Sequence, residues 1–79
     1  MWITKLRFNV KDMERVEKVC GDIQKRDSTF IFSLVSKEEK VTLNIKSSTK
    51  DQAHKRGTWM INSIPEFETN NVGYNVNFE

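Results

Sequence analysis

The chain has 79 residues, 37% of them hydrophobic and 30% charged, with a formal net charge of +2. That composition suits a small folded domain and excludes a disordered tail. The charge is too small to argue for nucleic acid by itself, and no apolar run approaches the ~18 residues of a membrane span.

The single cysteine, Cys20, excludes an internal disulfide and fits a reducing, cytoplasmic setting. Lys5 and Arg7 interrupt what would be the apolar part of a signal peptide. The chain opens at Met1 and reads as a whole small gene product, one domain over 1–79. Its Asn- and Lys-rich composition points to an AT-rich genome, bacterial or viral.

Residues 2–10 alternate as a strand does, because successive side chains point to opposite faces. Trp2, Leu6, Phe8 and Val10 share one face, and Ile3, Lys5, Arg7 and Asn9 the other. Residues 11–25 repeat with a helical period, with Asn9 or Asp12 as cap and Met13, Val16, Val19, Cys20 and Ile23 as the buried stripe.

Residues 28–36 alternate again: Phe30, Phe32 and Leu34 point one way, Ile31, Ser33 and Val35 the other. The polar run Ser36–Glu39 reads as a hairpin loop without the Asn-Gly signal of the tightest turns. The next strand, 40–46, turns Val41, Leu43 and Ile45 inward and Thr42, Asn44 and Lys46 outward.

The segment Ser48-Thr49-Lys50-Asp51 fits a capping box, Ser or Thr followed three residues later by an acid. It opens a helix over 49–64 whose apolar stripe is Ala53, Gly57, Met60, Ile61 and Ile64. A helix broken at Gly57, with Thr58–Ile64 as a strand, is the competing reading. Pro65 supplies a stop, Phe67 an anchor in the following loop, and Val72, Tyr74, Val76 and Phe78 the last alternating strand.

The order β-α-β-β-α-β predicts an α+β fold, a two-layer ferredoxin-like plait with both helices on one face of an antiparallel sheet. Right-handed crossovers put the first and third strands at its centre. The uncovered face is then basic and rich in amides, with a small apolar patch at Ile31 and Val35.

No residue cluster argues for chemistry. His54 is the only histidine and lies on a helix flank. Cys20 falls on an apolar stripe, where a thiol is a small hydrophobe. Gly21, Gly57 and Gly73 are scattered, so no phosphate-cradling loop exists. Neither enzyme activity, a cofactor nor a metal is expected. Val41–Ser47 resembles one strand of the histidine-containing phosphocarrier proteins, which run through the same element order. Residues 11–16 lack the histidine that would open the first helix, so the likeness implies no phosphotransfer.

The leading expectation is therefore a non-catalytic protein-binding module, a small regulator or inhibitor of the kind phages encode. Its interface would use Trp59, Arg56, Ile31 and Val35, since an exposed Trp beside an Arg has the composition of a binding hot spot. A second copy of the chain is an admissible partner, because Ile31 and Val35 fall on a strand expected at a sheet edge. The runner-up is single-stranded RNA or DNA on the open sheet face, through Lys5, Arg7, Asn44, Lys46 and Asn75. Against it, Phe8 falls on the inward register, where no base can stack.

Overall fold

The computed structural model describes residues 1–64 and 74–79. The elements run β1 (Trp2–Asn9), a 3-10 turn (Val10–Asp12), α1 (Met13–Arg26), β2 (Ile31–Lys37), β3 (Lys40–Ser47), α2 (Lys50–Ser63) and β4 (Tyr74–Phe78). The four strands form one open sheet in the order β2-β3-β1-β4, and every neighbouring pair is antiparallel. The fold is α+β, with β1 and β3 inside and β2 and β4 at the edges. The expectations at Pro65, Phe67, Val72 and Gly73 lie outside the described residues.

Alternation along the strands builds the core. Leu6 and Phe8 of β1, and Val41, Leu43 and Ile45 of β3, meet Val16 and Cys20 of α1 and Met60 and Ile64 of α2 in one buried cluster. Both helices therefore cover the same face of the sheet. Met13, Val19 and Ile23 complete the apolar stripe of α1 and are partly buried against that cluster. α2 runs unbroken through the buried Gly57, so the strand reading of Thr58–Ile64 is corrected to helix.

Two buried inward positions are polar, Thr4 and Ser47. Thr4 is fully buried, and its Oγ1 donates to the carbonyl of Ala53 in α2 at 2.9 Å. A buried hydroxyl without a partner costs about 1–3 kcal/mol, and this bond removes that penalty while fixing α2 over β1.

Local signals shift by a residue or two from the expectation. α2 is capped by Thr49, whose Oγ1 accepts from the Gln52 amide at 3.1 Å. Gln52 Oε1 accepts in turn from the Ser48 amide at 3.2 Å. The pattern is close to a capping box, one residue later than the Ser48–Asp51 pair suggests, but Gln52 reaches the amide before the cap rather than that of Thr49 itself. Asn9 Oδ1 accepts from the Lys11 amide at 3.0 Å and caps the 3-10 turn. Asp12, at the junction with α1, makes no capping bond, and its Oδ2 is buried without a partner.

The β2–β3 hairpin closes more tightly than a polar run of four residues implies. Lys37 pairs with Lys40, leaving Glu38 and Glu39 as a two-residue turn. Glu38 sits at φ 60°, a left-handed conformation that disfavours any residue with a Cβ. Glu38→Gly should therefore stabilise the protein by about 0.5–1 kcal/mol, read as a rise of a few degrees in melting temperature. An unchanged or lower melting temperature would contradict that assignment of strain.

Candidate functional site

Two surfaces hold the residues singled out by sequence. The first is a groove between the helices. Val19, Asp22, Ile23 and Arg26 of α1, Asp27 and Phe30 of the connection to β2, and Lys55, Arg56 and Trp59 of α2 enclose about 420 Å³. Helical spacing creates it: Val19, Ile23 and Arg26 follow at steps of four and three, so they line one side of α1. On α2, Lys55 and Arg56 stand four and three residues before Trp59 and line the facing side. Phe30, itself buried, lies in the groove between the two helices.

Trp59 is 51% exposed. Its ring is the largest apolar surface of α2 left in water, and it forms a wall of the groove. Lys55 and Arg26 add positive charge to the rim.

Arg56 has a different position from its neighbour Trp59. Its side chain is only 12% exposed. Nη1 donates to the Lys46 carbonyl at 2.9 Å and to Ser47 Oγ at 3.2 Å. Nη2 donates to Thr29 Oγ1 at 3.0 Å and faces Asp27 Oδ2 at 3.4 Å. The guanidinium also lies 5.5 Å from the centre of the Phe30 ring, within cation–π range. One side chain of α2 thus ties the end of β3 to the turn between α1 and β2. Arg56 holds the groove's walls together as well as lining it.

Asp27 organises that turn. Its Oδ1 accepts from both the amide and the hydroxyl of Thr29. These two hydrogen bonds, the hydroxyl's first, hold its carboxyl below the ordinary range, with the charge of Arg56 as a further cause. A depressed folded pKa gives stability that is present above the unfolded value, near 4, and lost as pH falls through the folded one. Asp27→Asn keeps an oxygen for the Thr29 bonds but removes the titration. Its unfolding free energy should fall less between pH 5 and pH 2 than that of the native chain, as read by denaturation at each pH. Parallel acid limbs would show that Asp27 carries none of the dependence.

The second surface is the uncovered sheet face. Register lays it out in rows across β2, β3, β1 and β4. Ile31, Lys46, Ile3 and Asn77 form one row, and Ser33, Asn44, Lys5 and Asn75 the next. Val35, Thr42 and Arg7 follow, then Lys37, Lys40 and Asn9. All five residues assigned to nucleic acid are therefore on one face, with Lys5 between Asn44 and Asn75. Lys37 joins them because the tight hairpin carries β2 through a residue that the sequence pattern puts in the loop, and Lys40, the first residue of β3, lies opposite it. Lys5 is partly neutralised by Glu79, whose Oε2 lies 3.1 Å from Nζ. No described residue of this face is aromatic.

Ile31 and Val35 are 45% and 56% exposed on this face, along the edge strand β2. They are thus separated from Trp59 and Arg56 by the thickness of the sheet. The four residues expected to share a protein interface divide into two sites.

Cys20 is fully buried, and burial pushes its thiol up to about 12. Among the described residues, no three His, Cys, Asp or Glu side chains are grouped to hold a metal ion, and no helix is long and apolar enough to cross a membrane. Comparison with protein-family models, curated proteins and solved structures gives no match.

Proposed function

We propose that the chain is a non-catalytic protein-binding module, a small cytoplasmic regulator or inhibitor built on a ferredoxin-like plait. Two helices covering one face of an antiparallel sheet support the plait assignment. The interhelical groove supports the binding assignment, and the exposure of Trp59 beside an apolar floor carries it. A half-exposed tryptophan forfeits burial worth about 1.5–3 kcal/mol unless a partner covers it, and tryptophans in such pockets dominate binding energies.

The occupant is a partner segment with an apolar anchor and adjacent acidic side chains. The anchor packs against Ile23, Phe30 and Trp59. The acids face Lys55, since Asp22 stands one turn from Arg26 on α1 and Asp27 faces Arg56. A chain of pI about 8.8 is electrostatically matched to an acidic partner.

The test is recovery of a partner from native lysate by the wild-type chain, by Trp59→Ala and by Lys55→Glu, followed by titration of the purified partner. Both substitutions are at exposed positions, so melting temperatures should stay near the wild-type value. Loss of a saturable partner in both variants supports the groove. Equal recovery by all three removes it as the binding site.

A second reading, single-stranded nucleic acid on the open sheet face, is favoured by the rows that gather Lys5, Arg7, Lys37, Lys40 and Lys46 with Asn44 and Asn75. Here the phosphates would meet cations and the bases would meet amides. Reversal of Lys5, Arg7 and Lys46 to Glu should then abolish binding to a labelled oligonucleotide. Affinity that falls steeply with salt in the wild type and vanishes in the triple variant is the expected pattern.

A further inference from the structure

We propose that β2 is a self-pairing edge, through which two copies of the chain join antiparallel about Ser33 into one continuous eight-stranded sheet. This goes beyond the groove and does not depend on it.

The outer edge of β2 has free backbone groups. Met1 and Glu79 exchange both backbone bonds at 2.8 Å each, which fixes the hydrogen-bonding phase of the sheet. Odd residues of β1 then face β4, and even ones face β3. Carried through the registers of β1–β3 and β2–β3, the even residues of β3 face the odd residues of β2. The amides and carbonyls of Phe32, Leu34 and Ser36 therefore point away from the sheet. At the start of the strand the edge is closed: the Phe30 amide donates to the Asp27 carbonyl at 3.0 Å, and Gln24 Nε2 donates to the Phe30 carbonyl at 3.2 Å.

An antiparallel pair centred on Ser33 fits these free groups. Phe32 lies opposite Leu34 of the second copy, and the two exchange both bonds. Ser33 meets its own copy, and Ile31 meets Val35, in the non-hydrogen-bonded positions where side chains approach most closely. The two exposed apolar residues of the open face sit at equal distances either side of Ser33, so each covers the other's counterpart. The half-buried Phe32 and Leu34 do the same on the helix side.

The symmetry of the strand about Ser33 selects a second copy over an unrelated strand, and its charge pattern permits one. From Phe30 to Ser36 the strand has no charged residue, and it has no proline or bulge. Edges meant to stay single carry such devices. Lys37, the only charged residue of β2, comes opposite the second copy's Thr29, which is uncharged, so no like charges are opposed. A twofold pairing of identical edges also closes, leaving no further β2 edge to recruit a third chain.

The test uses Ser33→Cys, at an exposed position of the intact chain. At the twofold axis the paired Cα atoms would be about 4.5 Å apart, within the 4.4–6.8 Å range of a disulfide. Sedimentation of the wild type should show a dimer, lost in Val35→Lys, whose circular dichroism spectrum should remain that of the folded wild type. Mild oxidation should cross-link Ser33→Cys covalently and leave Asn75→Cys, on the opposite edge strand, without a cross-link. The native Cys20 is too buried to interfere. A wild type that stays monomeric at the highest attainable concentration overturns the proposal. So does cross-linking of Ser33→Cys no faster than that of Asn75→Cys. Loss of dimer in Val35→Lys with groove binding intact separates this result from the fate of the groove.

Discussion

Arg56→Ala should lower the unfolding free energy by about 2–4 kcal/mol, measured by denaturant titration with an unchanged m value. The side chain is 12% exposed and engages four groups from two separate segments: Lys46, Ser47, Thr29 and Asp27. Truncation removes all four contacts and the packing over Phe30. It also leaves the buried Ser47 hydroxyl without this donor. Arg56→Lys should recover less than half of the loss, since an ammonium cannot present two parallel edges to partners on opposite sides. A cost for Arg56→Ala under about 0.5 kcal/mol, the range of ordinary surface changes, would show that the network adds nothing to stability.

The second large effect is expected at Phe8. It is 1% exposed, on the helix-covered side of the central strand β1. Phe8→Ala should cost about 3–5 kcal/mol through lost transfer energy and the cavity left behind. A chain of this length has a total stability of about 4–12 kcal/mol, so the variant should be partly unfolded at 37 °C. Circular dichroism against temperature reads this directly. Arg7→Ala, at the neighbouring exposed position of β1, is the control and should stay within about 0.5 kcal/mol of the wild type. Equal effects at the two sites would mean that the register of the sheet is wrong.

Phe8 also shows why so much of the sheet was legible in the sequence. A one-residue slip in a strand reverses every side chain, so apolar alternation fixes which face is buried. Leu6, Phe8, Val41, Leu43 and Ile45 declared the core, and Lys5, Arg7, Asn44 and Lys46 the open face. Thr4 broke the pattern because its hydroxyl finds a carbonyl on α2, a partner that no local rule reveals.

Arg56 escaped for the same physical reason. A helical wheel shows the angle of a residue about its own axis, so it placed Arg56 beside Trp59 on a polar flank. Its partners come from the β3 terminus and the Asp27–Thr29 turn, 9 to 29 residues away in sequence. The groove was hidden likewise. Trp59 was visible as an exposed ring, but Val19, Ile23 and Phe30 had been assigned to core. That they also line a groove follows from the spacing of two helices, which periodicity does not encode. The hairpin was found but its length was not, because Glu38 in a left-handed conformation is unfavourable and gives no turn signal.

The proposed function is the holding of a protein in the interhelical groove. The most direct measurement is parallel recovery from native lysate, with and without nuclease, by three forms of the chain: wild type, Trp59→Ala, and the Lys5, Arg7 and Lys46 to Glu triple variant. One protein should be recovered in near-equal amount, indifferent to nuclease, retained by the triple variant and lost with Trp59→Ala. Material that disappears on nuclease treatment and in the triple variant, yet survives Trp59→Ala, would contradict this and assign the function to the open face of the sheet.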